Sequence, residues 1–281
     1  MEHVLSDDLA FYIRSLKDER GLQPSSIKLY EFELYKLLKL LPSPSTDLLR
    51  NHLKKLSPPT QWRKLIIWRS FLRAQKAPWK DLLEEFKVPK IRSKQPTFLT
   101  DQEAFQLEAV CYKTNQMARN RLFVALALQL GLRLSEILQL KFKDAEEGWL
   151  KILRKGGKEQ RLPLTAGVQT LIHFWKAESN ASDEDWLFRG RGAEPLSSRS
   201  AQLLLKDLAK LAGIQKRISP HSLRHTFATT LASRGANLAA LKELLGHEQI
   251  STTERYLHVT PTHLRETLSL LQPKSLRDVV H

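Results

Sequence analysis

Four short stretches of the sequence gather residue types that can act on a phosphate diester. In GLRLSE at 131–136, Arg133 follows a glycine between two apolar helical runs, and Glu136 stands three residues on. A guanidinium offers a planar fork of donors that matches phosphate oxygens, and a carboxylate at that spacing can steady it. A purely structural Arg–Glu pair has the same signature. In RKGGKEQRLPL at 154–164, Lys155 and Lys158 flank Gly156-Gly157 between two strand-like runs. A lysine on such a turn can give a proton to a leaving oxygen, or simply face water. SPHSLRHTFAT at 219–229 puts His221 and Arg224 three apart at a helix start, where free amides and the helix dipole favour an anion. LLGHEQISTTERYLHV at 244–259 has a capping box in Ser251 and Glu254, which predicts a short helix at 252–258 carrying Tyr256, with His247 ahead of it.

Each stretch alone has a bland explanation; the set does not. Two arginines can neutralise the non-bridging oxygens of a phosphate as charge builds. A tyrosine hydroxyl can attack phosphorus and form a covalent ester. A histidine and a lysine can move the protons. Tyrosine ionises near pH 10 in water, so nearby cations and an imidazole are needed to make it a useful nucleophile. His225, four residues after His221, raises a two-histidine metal site, but the glutamate of HExxH and a third ligand are missing. No metal and no cofactor are expected. A cysteine phosphatase needs Cys-x5-Arg, and the residue six after Cys111 is Met117.

Helical periodicity dominates the segments that must carry these residues. Residues 5–19, a run after Pro24-Ser25-Ser26, residues 46–56 and a run opened by Pro58-Pro59-Thr60 read as four short helices. The fourth carries Trp62, Leu65, Ile66, Trp68, Phe71 and Leu72, together with Arg63, Lys64, Arg69 and Arg73; Arg69 and Arg73 are four apart and share a face, and these cations suit successive phosphates or simply a solvated helix face. Residues 88–98 hold prolines with Lys90, Arg92 and Lys94 and little periodicity, which predicts a basic linker. Thr100 with Glu103 is a capping signature. Helices are predicted at 101–113 and 117–130, a hairpin from 149–153 and 160–164, and helices at 166–177, 198–212, 221–234 and 237–245. The expected class is mainly α with a small β-sheet.

Charge points to a partner. The 281 residues carry 45 Lys/Arg against 30 Asp/Glu, a formal +15. Residues 1–100 hold 19 cations and 11 anions, and residues 101–281 hold 26 and 19. The excess is not a tail, and nucleic acid touching both halves would explain it. One cysteine excludes an internal disulfide framework and a multi-thiolate zinc finger. The acidic start without an apolar run reads as no signal peptide, and no stretch is long enough to span a bilayer. A cytoplasmic, nucleoid-associated protein with no membrane partner is expected.

In content and order, the four motifs resemble those of the tyrosine recombinase (phage-integrase-type) family, and within it the Xer group. GLRLSE is similar to the family's first-arginine motif, RKGGKEQRLPL to its hairpin-lysine motif, SPHSLRHTFAT to its His-x-x-Arg motif and LLGHEQISTTERYLHV to its His/Trp-to-tyrosine segment. The resemblance implies a helical, SAM-like core-binding domain over 1–87, the linker at 88–98 and an α+β catalytic domain over 99–281, with a last helix (Leu264, Leu268, Leu271 on one face) that docks on a neighbouring protomer. It implies that Arg133 and Arg224 clamp the scissile phosphate, Lys155 protonates the departing 5′ oxygen, His221 is the proton-transfer partner, His247 hydrogen-bonds the phosphate, Tyr256 is the nucleophile and Glu136 supports them. Lys158, Arg63, Arg69, Arg73, Lys90, Arg92 and Lys94 become the expected DNA contacts. The implied partners are a double-stranded recombination site, a homo-tetramer or a hetero-tetramer with a second recombinase, and an FtsK-type translocase, as in chromosome dimer resolution. Integration of a mobile element, or nicking and closing as in type IB topoisomerases, are the alternatives. The chain departs from the family at Arg154, where glycine is common, and at Glu31-Phe32-Glu33 after Tyr30, where a basic pair is frequent.

Overall fold

A computed structural model describes residues 2–22, 24–40, 46–74, 83–87, 89, 97–154, 157–246 and 261–271. The chain divides into two units, residues 1–94 and 95–281. Among the described residues no helix is long and apolar enough to cross a membrane.

The first unit is helical: α1 (Glu2–Asp18), α2 (Pro24–Leu40), α3 (Thr46–Lys54) and α4 (Pro58–Leu72). Proline is well placed at both α2 and α4, because the first turn of a helix has no use for its missing N–H. α2 packs against α1 and α4, and the core gathers Tyr12, Leu16, Leu34, Leu37, Trp68 and Phe71. The buried face of α4 is not quite the apolar one in the sequence: Trp62 and Ile66 are exposed, whereas Lys64 is buried. The cause lies in α2. Glu33 is buried there and pairs with Lys64 and Arg63, while the Trp68 indole donates to the Glu33 carbonyl at 3.1 Å. Glu33, in the acidic stretch after Tyr30, is thus the acidic partner of a core ion pair. Arg69 donates to the backbone carbonyls of Leu83 and Phe86, and Arg73 pairs with Glu84 at 3.0 Å.

The second unit starts at a true capping box, with Thr100 N–H donating to Glu103 at 2.8 Å and Glu103 N–H donating to the Thr100 hydroxyl at 3.2 Å. It leads into α5 (Asp101–Cys111) and α6 (Met117–Gln129). α6 packs against α5, α8 (Ala166–Ser179) and α10 (Pro220–Ser233), and residues 122–128 are all buried. A helix apolar all round has to be central. α7 (Leu134–Leu138) and a 3₁₀ turn (Phe142–Asp144) follow.

Three antiparallel strands come next, in the order β1 (Ala145–Glu146), β2 (Trp149–Leu153), β3 (Glu159–Pro163). Leu150 pairs with Leu162 and Leu153 with Glu159. β1 was not expected. Its turn needs positive φ at both central residues, Glu147 at 49° and Gly148 at 82°, and a glutamate in the first position hides that requirement. α9 (Ser198–Leu211), α11 (Leu238–Leu245) and α12 (Pro261–Ser269) complete the described elements. Leu264 and Leu268 of α12 join the core of this same unit, and Arg234 donates to the Leu270 and Leu271 carbonyls behind it at 2.8 and 3.0 Å.

Candidate active site

The site is organised by the end of a helix. The last carbonyls of α11 have no partner within the helix. Each of the three in sequence is met by a guanidinium from a different element. Arg154, directly after β2, donates to Leu244 O at 2.6 Å. Arg224, one turn into α10, donates to Leu245 O. Arg133, at the N-cap of α7, donates to Gly246 O at 3.2 Å. Cations at the negative end of a helix dipole are favoured, and here they are the means by which α7, α10 and the hairpin are held to one point.

Glu136 is the only carboxylate on this cluster among the described hydrogen bonds. It is buried and accepts from the Arg133 backbone N–H at 2.7 Å, from Arg133 Nη1 at 2.8 Å and from Arg154 Nη1 at 2.9 Å. Burial works against its charge, yet the Arg133 amide and the two guanidiniums outweigh it and hold the carboxyl below its usual range. Arg224 feels the reverse. Burial first, then Arg133 and Arg154, push it down to about 10, although Glu136 pulls the other way. Two guanidiniums pair with Glu136 and a third, Arg224, is held beside them by carbonyls alone, so among the described residues arginines outnumber the carboxylates around them, Glu136 and the more distant Glu243, in a partly dry place suited to an anion.

Two glycines make the convergence possible. Gly131 has φ +61°, and its carbonyl accepts from Arg224 Nη1 at 2.6 Å; a Cβ there would lie 2.4 Å from the Phe227 ring. Gly246 has φ +60°, and a Cβ would sit 2.7 Å from Arg154 Nε. Neither position tolerates a side chain, for conformational and for steric reasons.

α10 opens with Ser219 as its cap and Pro220 in its first turn. His221 and Arg224 therefore lie on one wall of a cleft of about 560 Å³, shared with Thr97, Arg217 and His225. His225 is packed edge-on against Phe98, with ring centroids 6.0 Å apart. Among the described residues no group of His, Cys, Asp and Glu could hold a metal ion.

The structure thus brings Arg133, Glu136 and Arg224 together, with His221 beside them. Lys158 is exposed on the hairpin, and its carbonyl accepts from the Arg154 N–H at 2.8 Å. Lys155, His247, Tyr256, Lys90, Arg92 and Lys94 lie outside the described residues. Arg63 and Arg73 are half-exposed with carboxylate partners, whereas the Arg69 guanidinium is turned onto carbonyls of its own unit. Sequence reasoning missed Arg154 as a member of the cluster. The signal was present: Leu150 and Ile152 face the core and Lys151 and Leu153 face out, so Arg154 falls in phase with the buried set.

The second unit thus sets Arg224 and His221 on one cleft, with Arg133 and Glu136 held at the same end of α11, and a basic helical unit precedes it. Residues 97–263 match the Phage integrase family. The chain is 34% identical over 279 residues to the tyrosine recombinase XerA of Pyrococcus furiosus, covering 95% of each. It is 32% identical over 235 residues to the tyrosine recombinase XerC of Xanthomonas campestris pv. campestris (strain B100), covering 80% of this chain and 72% of the relative. In fold it is similar to a lambda integrase (75–356) dimer bound to a COC′ core site, with a TM-score of 0.70 at 18% identity over 91% of this chain and 98% of that one. The chain belongs to the phage integrase family of tyrosine recombinases.

Proposed function

We propose that this recombinase cuts DNA through Tyr256 with Arg133 and Arg224 on the scissile phosphate. The two guanidiniums neutralise the non-bridging oxygens as the pentacoordinate state forms. The phenolic oxygen of Tyr256 bonds to phosphorus while its proton passes to His221; the bond from phosphorus to the 5′ oxygen breaks, and the Lys155 ammonium supplies the proton that oxygen takes away. His247, the residue after Gly246 in the chain, adds a hydrogen bond to the phosphate. A 3′-phosphotyrosine and a free 5′-hydroxyl result. The 5′-hydroxyl of a partner duplex then attacks the ester; the bond from phosphorus to the Tyr256 oxygen breaks, the phenol takes a proton back from His221, and the strands are exchanged. The ester conserves the bond, so neither ATP nor metal has a step to perform.

The observation that carries this reading is the capping of three successive carbonyls, Leu244 to Gly246, by three arginines around Glu136. Among the described residues it leaves more arginine than carboxylate charge beside the cleft that His221 lines, and its last carbonyl belongs to the residue before His247.

On the scale of the assembly, four protomers hold two recombination sites, with Arg63, Arg73, Lys90, Arg92, Lys94 and Lys158 along the DNA backbone. The resemblance to XerA and XerC favours chromosome dimer resolution in the cytoplasm, with a second recombinase or an FtsK-type translocase as partners. The test is a nicked suicide duplex carrying a candidate site, run on a denaturing gel. Wild type is expected to give a protein–DNA band that survives EDTA. Tyr256→Phe is expected to give none. A covalent band from the phenylalanine variant removes Tyr256 from its role, and loss of the wild-type band on chelation contradicts the metal-free step.

A further inference from the structure

Arg154 opens the hairpin motif with no role assigned to it, yet its side chain makes three hydrogen bonds in the site. Its residue exposure is only 8%. All three guanidinium nitrogens are engaged: Nε donates to Gln160 Oε1 at 2.7 Å, Nη1 to Glu136 at 2.9 Å and Nη2 to Leu244 O at 2.6 Å. Its backbone is engaged as well. The Arg154 N–H donates to Lys158 O at 2.8 Å and its carbonyl accepts from the Gly157 N–H at 3.1 Å, so this residue closes the turn in which Lys155 and Gly156 are the next two residues. Gln160, across the hairpin, continues the tie by donating to the Glu243 carbonyl at 2.9 Å. Gly246 leaves the space that the guanidinium fills.

We infer that Arg154 is the positioning residue for the hairpin lysine: its buried fork fixes the base of the turn that carries Lys155 to α7 through Glu136 and to α11 through Leu244. The inference rests on Lys155 being the proton donor to the 5′ oxygen. Three elements meet at one rigid, planar group, so the described ends of the turn, Arg154 with Gly157 and Lys158, cannot shift relative to the Arg133–Arg224 pair without breaking buried charge-assisted hydrogen bonds. A glycine in this place leaves the turn to be aimed by other means. Lysine is no substitute, since a single point charge cannot reach three acceptors in a plane.

A sulfur at the bridging 5′ position separates positioning from general support, because a thiolate leaves without a proton. Single-turnover cleavage is measured with saturating protein on the ordinary duplex and on the sulfur-bridged one, for wild type, Lys155→Ala, Arg154→Met and Arg154→Lys. Arg154→Met and Arg154→Lys are expected to cut the ordinary duplex about 10²-fold more slowly, within the range of a lost general acid. Both are expected to recover to near wild type on sulfur, as Lys155→Ala does, with DNA affinity unchanged. Equal losses on both duplexes, or no loss on the ordinary one, overturn the inference for Arg154. Failure of Lys155→Ala to recover instead overturns the lysine assignment beneath it. Should Arg154→Met melt early, Gln160→Leu gives the same reading: it frees Nε and cuts the tie to Glu243 while leaving both Nη bonds, and a slowing that sulfur does not correct, or no slowing at all, overturns the inference.

Discussion

At the scale of single residues, the site is a balance of charge around Glu136. Burial raises the carboxyl, and the Arg133 amide with the Arg154 and Arg133 guanidiniums more than reverses it, so the folded value lies below the ordinary 4.5. A carboxyl with a depressed folded pKa contributes stability that is present above the unfolded value and lost as pH falls through the folded one. Denaturation of wild type and Glu136→Gln should therefore differ most near neutrality, and the gap should close on acidification below about pH 4. Two curves that stay parallel to low pH would show that Glu136 is not held charged by its arginines. Much of this cluster is legible in the sequence, because GLRLSE and SPHSLRHTFAT state both the residue types and the spacing. Arg154 is not legible as a motif. Only the two-residue alternation of β2 reveals that its side chain turns inward, and alternation is a weak signal on a strand of five residues.

At the scale of elements, the helices follow from their punctuation. Pro24, Pro58, Thr100, Ser197 and Ser219 each stand at or just before a helix start, and these residues are favoured there for physical reasons that need no tertiary context. What the sequence hides is which face of α4 is buried, because the answer depends on a charge in another helix. Lys64 reads as a solvated cation until Glu33 is found beside it in the core. Glu33→Ala leaves that ammonium buried and unpaired, and should cost about 3–5 kcal/mol. Replacing both partners by methionine should recover most of the loss, since an apolar pair of similar volume removes the desolvation penalty along with the attraction. Thermal melting of the full chain measures both, and a single variant that melts with wild type would mean that the pair is not held in the folded unit. The strand β1 was invisible for a related reason: its turn places Glu147 at positive φ, a conformation that the residue type does not advertise.

At the scale of the whole molecule, the charge arithmetic and the motif order say the same thing independently. Both halves are basic, and the second also concentrates arginines at one helix end. The C-terminus of α11 gathers groups separated by as many as 113 residues in the chain, from Arg133 to Gly246. That convergence cannot be read from local pattern; it follows from α6 being central, with α10 packed against it and α11 against α10. On the proposed mechanism, the positive charge gathered at this point serves one phosphate. A suicide duplex with a neutral methylphosphonate at the scissile position tests it most directly, with wild type and Arg224→Ala measured on neutral and ordinary duplexes. On the ordinary phosphate the variant should lose at least about 10²-fold, the scale of one missing oxyanion donor. On the neutral linkage, where there is less charge to balance, it should cleave at nearly the wild-type rate. An Arg224→Ala enzyme equally slow on both duplexes would contradict the claim.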